Sequence, residues 1–85
     1  MVAMIERAYT HDDEYYYQIV RQNIRKYRTA KNLTQQELSE MTDMSREYIT
    51  DIENEGRNKH LTIAVLERIA EVLKTPIGDF FSTNK

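Results

Sequence analysis

Thr34, Ser45, Thr62 and Thr75 each stand directly ahead of a short stretch in which apolar side chains recur every three or four residues. A side-chain hydroxyl at such a place accepts a hydrogen bond from a backbone amide of the first helical turn, and so marks where a helix begins. Four starts this close together predict short helices joined by short turns. The fullest signal is Thr34-Gln35-Gln36-Glu37. It reads as a capping box, the Thr34 hydroxyl bonding the Glu37 amide and the Glu37 carboxylate reaching back to the Thr34 amide, with Leu33 and Leu38 placed as a hydrophobic staple. Two glycines and one proline in 85 residues leave few breakers elsewhere.

A first helix is expected from near His11 to about Lys31. Thr10 would cap it, with Asp12, Asp13 and Glu14 beside its positive end. Val20, Ile24 and Tyr27 share its inward face, and Asn32 is the stop, because Asn tolerates the left-handed conformation. A second helix runs about Gln35 to Met41, with Leu38 and Met41 inward, and Thr42-Asp43-Met44 forms a turn. A third, about Arg46 to Asn54, buries Ile49 and Ile52; Gly56 ends that region, and Asn58 to Leu61 reads as a loop. A fourth, about Ile63 to Lys74, turns Leu66, Ile69, Ala70 and Leu73 inward. Thr75 and Pro76 open a short fifth helix with Ile77, Phe80 and Phe81 on its apolar side. The expected fold class is all-α, with five helices. One domain would span residues 18–81, preceded by an N-terminal extension (arm or helix) over 1–17 and followed by a tail over 82–85.

Several function classes are disfavoured. There is no cysteine for a disulfide or a thiolate metal site, no apolar run near the ~20 residues that span a bilayer, and no apolar leader at the N-terminus. A soluble, cytoplasmic protein that does not engage a membrane is expected. No nucleophilic triad, glycine-rich phosphate loop or cofactor fingerprint is present, so no catalytic residues, cofactor or enzyme activity are expected. His11 with Asp12, Asp13 and Glu14 suggests a metal only superficially, since adjacent helix residues do not face one point; His60 stands alone, and no metal site is expected. The net charge of −2 is unevenly spread: residues 1–17 carry −3 and the remainder +1. Arg21, Arg25, Lys26, Arg28 and Lys31 fall in eleven residues without an acid, a stripe suited to phosphate or simply to water.

The second and third helices, joined by a three- or four-residue turn, make a helix-turn-helix unit. A helix fits the major groove of DNA, and the helix before it crosses the phosphate backbone. The segments Leu33 to Met41, Met44 to Glu53, Leu66 to Leu73 and Pro76 to Phe81 together resemble the phage-repressor family of the Cro and xenobiotic-response-element type, over about residues 18–81. Asp43 stands where that family commonly has a turn glycine, and the loop after the third helix is a residue or two longer, with Gly56 displaced.

The resemblance implies a lambda-repressor-like DNA-binding domain acting as a transcriptional regulator, a repressor of a palindromic operator. It implies that Ser45, Arg46, Glu47, Thr50 and Asp51 read bases, and that Gln35 holds a phosphate. Arg57, Asn58 and Lys59, polar and basic in the loop, are expected on their own chemistry to grip the DNA backbone. The resemblance further implies that Arg28 and Glu53 form a buried ion pair, and that a homodimer closes through Ile77, Phe80 and Phe81. Two partners are therefore expected, double-stranded DNA and a second copy. Tyr15, Tyr16 and Tyr17 point about 100° apart on a helix, so all three cannot enter one core, and a second dimer contact there stays open. The acids Glu47, Asp51, Glu53 and Glu55 around Arg46 keep open another reading, an antitoxin-like or protein-interaction module with a protein partner.

Overall fold

The computed structural model describes residues 8, 10, 14–54 and 61–83. Its elements are α1 (Tyr15–Ala30), α2 (Gln35–Thr42), α3 (Arg46–Glu53), α4 (Ile63–Val72) and a terminal 3-10 helix (Ile77–Phe81). No strand occurs among the described residues. The fifth element is thus a 3-10 turn and not an α-helix. Five residues containing Gly78, entered through the extended Pro76, close too few hydrogen bonds to sustain an α-helical nucleus. Thr75 does not cap it: its hydroxyl donates back to the Leu73 carbonyl at 3.0 Å.

The three other starts form as the sequence predicts. Both bonds of the capping box are made, from the Glu37 amide to Thr34 Oγ1 at 3.0 Å and from the Thr34 amide to Glu37 Oε1 at 2.8 Å. Ser45 accepts from the Tyr48 amide and Thr62 from the Val65 amide. The start of α1 differs. It begins at Tyr15, not near His11, and Thr10 lies outside it, exposed. Glu14 occupies the cap position without a side-chain cap bond, because its carboxylate accepts from Arg21 Nη2 at 3.0 Å instead. Residues 11–13 lie outside the described residues.

Each of α1, α2 and α4 ends on a residue with positive φ: Asn32, Asp43 and Lys74. In all three corners the amide of the following residue reaches a carbonyl five positions back, Leu33 to Arg28, Met44 to Ser39 and Thr75 to Ala70. This is the Schellman closure, built here without glycine. Asp43, at φ 59°, accepts the backbone that glycine commonly supplies in the turn before α3.

The core is Val20, Ile24, Leu38, Ile49, Ile52, Leu61, Leu66, Ile69, Ala70, Leu73 and Phe80. Two expectations are overturned. Met41 is 52% exposed, and Thr42, one turn past Leu38, takes the inward place with its hydroxyl bonded to the Leu38 carbonyl at 2.7 Å. Phe80 is fully buried, with its ring edge-on to Tyr27 at 5.1 Å. The 3-10 helix is held down by α1: Asn23 Nδ2 donates to the Phe80 carbonyl at 2.8 Å and the Ser82 carbonyl at 3.0 Å, and the Tyr27 hydroxyl donates to the Asp79 carbonyl.

Candidate nucleic-acid interface

Ile49 and Ile52 anchor α3 in the core and so turn its other side outward. On that outer side Arg46, Glu47, Thr50 and Asp51 line a shallow depression. Ser45, Arg46, Glu47 and Asp51 are exposed, while Thr50 is half-buried at the depression's edge toward α2. Partial burial raises the pKa of the Tyr48 phenol above its usual value. A phenol is neutral near pH 7 even at its ordinary value, so this shift leaves the charge of α3 unaltered there.

Behind this surface runs a polar chain that sequence reasoning saw only at one end. Arg28 and Glu53 form the implied ion pair, and they do so bidentately, Nε to Oε2 at 2.7 Å and Nη2 to Oε1 at 2.9 Å. Both side chains are nearly excluded from water. The third arm of the guanidinium, Nη1, donates to the Leu33 carbonyl at 2.7 Å. Glu53 Oε1 also accepts from Gln35 Nε2 at 3.0 Å, and Gln35 Oε1 accepts from the Thr50 hydroxyl at 3.0 Å. Gln35, first residue of α2, thereby ties α2 to α3 at both ends of its amide. Single-sequence periodicity carries no signal for a bond between residues 15 apart on two helices.

The other expected residues fall into three groups. Arg57, Asn58 and Lys59 lie outside the described residues. Arg21, part of the basic stripe, is 0% exposed and cannot reach a duplex, whereas Arg25 and Lys26 are exposed. At the far end, Ile77 and Phe81 are exposed at 37% and 38%, while Phe80 faces inward. Tyr16, 49% exposed, lies with its ring 6.3 Å from that of Phe81. The two dimer candidates named from sequence, the tyrosine run and the terminal helix, thus share one apolar patch.

Among the described residues no group of three or more His, Asp or Glu is placed to hold a metal ion. Among them, too, no helix is long and apolar enough to cross a membrane.

Residues 24–80 match the profile of the family described as Helix-turn-helix. The control protein C.SmaI of Serratia marcescens is 35% identical over 60 residues, which cover 71% of this chain and 69% of that protein. The fold is similar to that of the restriction-modification controller protein C.Esp1396I, at a TM-score of 0.69 and 36% identity over 79% of this chain and 84% of that one. It is also similar to SinR, a master regulator for biofilm formation solved in complex with DNA, at a TM-score of 0.67 and 25% identity over 74% of this chain and 98% of that one.

Proposed function

We propose, since this chain belongs to the helix-turn-helix family of the xenobiotic-response-element type, that it is a sequence-specific DNA-binding transcriptional regulator, a repressor that engages a palindromic operator as a homodimer. The observation that carries this reading is the outward face of α3, where Arg46 is the one cation among the described residues lining the depression. The helix would enter the major groove with Ser45 and Arg46 leading, and Glu47, Thr50 and Asp51 following. Gln35 spends one amide hydrogen on Glu53, and its second would hold a phosphate. Arg57, Asn58 and Lys59 would grip the backbone beside it. The relatives named as restriction-modification controllers favour a regulator serving such a gene pair, which would operate in the cytoplasm.

Reversing the charge in Arg46→Glu should weaken duplex binding by about a hundredfold at fixed salt, since a base or phosphate contact is lost and a repulsion is added. A gel-shift titration on a sequence selected from a randomised pool reads this directly. Unchanged affinity would move the interface off α3. The acids Glu47 and Asp51, exposed beside Arg46, favour one second reading, an antitoxin-like module whose α3 meets a protein; capture of a polypeptide with no duplex binding at low salt would select it.

The dimer is assigned to the patch of Ile77, Phe81 and Tyr16. Phe81→Ser should weaken self-association about tenfold or more in sedimentation, while leaving thermal stability close to that of the parent. An unaltered monomer–dimer balance would place the contact elsewhere.

A further inference from the structure

The chain from Arg28 to Thr50 fixes more than position. Its donors and acceptors can be assigned in only one way. The Arg28 guanidinium has donors alone, so the Glu53 carboxylate it grips accepts. Glu53 Oε1 then requires a donor from Gln35, which sets the amide with Nε2 toward Glu53 and Oε1 toward Thr50. Gln35 Oε1 can only accept, so the single proton of the Thr50 hydroxyl points inward to it. What Thr50 presents to the depression is therefore lone pairs. Glu47 and Asp51, which line the depression beside it, carry carboxylates that also only accept. Beyond Arg46, the lining side chains of α3 offer acceptors and no donor.

We propose that this relay makes the centre of α3 select amino bases, adenine or cytosine, against keto bases, guanine or thymine, on the strand it faces. In the major groove the adenine N6 amino group and the guanine O6 occupy the same place, as do the cytosine N4 amino group and the thymine O4. An acceptor-only surface bonds the amino member of each couple and meets oxygen with oxygen in the other. Arg46, carrying only donors, has the opposite preference and takes guanine. The inference rests on the DNA-binding reading above and adds the base chemistry to it.

The test is selection from a randomised duplex pool with the parent protein, Thr50→Ser, Thr50→Val and Gln35→Met, each checked for helical content by circular dichroism. The parent should enrich a palindrome with adenine or cytosine at the position Thr50 faces. Thr50→Ser should keep that preference, and Thr50→Val should lose it there alone. Gln35→Met leaves the Thr50 hydroxyl in place but frees its proton, so guanine or thymine should become tolerated at the same position. N6-methyladenine or N4-methylcytosine at that position keeps the base pair but puts a methyl where the major-groove hydrogen was. It should weaken parent binding about tenfold. A parent site carrying a keto base there, indifference to the N-methyl group, or a Gln35→Met variant that binds more weakly with its preference intact would each overturn the relay. A pool that enriches nothing at low salt removes the DNA-binding reading, and this inference with it.

Discussion

Replacing Arg28 by leucine should lower the free energy of unfolding by about 3–5 kcal/mol, the range found when one partner of a buried ion pair is removed. The Glu53 carboxylate would be left almost excluded from water with only the Gln35 amide against it, and solvation could not replace the two bonds lost. The Leu33 carbonyl would lose its guanidinium donor as well. Small domains are stable by about 5–15 kcal/mol, so a variant near the lower end would be largely unfolded in mild denaturant. Urea titration followed by far-ultraviolet circular dichroism measures the change. The double variant Arg28→Leu/Glu53→Leu should recover much of the loss, because a matched apolar pair carries no unpaired charge. A single-variant loss under about 1 kcal/mol would mean that water reaches the pair and that it behaves as a surface one.

Phe80→Ala should cost about 3–5 kcal/mol, as truncation of a core phenylalanine does. The ring is fully buried, lies edge-on to Tyr27 and closes the bottom of the core. Its neighbour Phe81 makes the contrast useful. The two side chains project about 120° apart on one 3-10 helix, Phe80 into the core and Phe81 partly into solvent, and the same truncation chemistry should register as stability at Phe80 and as self-association at Phe81. Thermal melts beside sedimentation on both variants separate the two. Should Phe80→Ala instead melt like the parent and change only the monomer–dimer balance, the burial of its ring would be wrong.

The sequence made legible what is local. The capping hydroxyls of Thr34, Ser45 and Thr62, and the inward stripes ending at Ile52 and Leu73, are set by spacing along the chain, and the structure bears them out. Asn32 as a stop followed from its tolerance of positive φ. What escaped depends on partners distant in sequence. Met41 and Thr42 compete for one inward place, and which of them wins depends on how α2 is rotated against its neighbours. Phe80 and Phe81 are chemically identical, so only the grip of Asn23 and Tyr27 on the 3-10 helix decides which ring goes in. Asn23 did leave a trace, a polar residue set within the apolar stripe of Val20, Ile24 and Tyr27. At the interface, the ion pair followed from family resemblance and is observed, while the bonds of Gln35 needed three-dimensional neighbours.

The corners at Asn32, Asp43 and Lys74 bear on a state of the chain other than the folded one. A glycine at each would relieve the left-handed backbone, but it would also let the denatured chain wander through more conformations, all of which must be surrendered on folding. Asn, Asp and Lys accept local strain in the native state and leave a narrower ensemble to collapse from. The narrower ensemble offsets part of that strain at each corner, the one at Asp43 that sets α2 against α3 included.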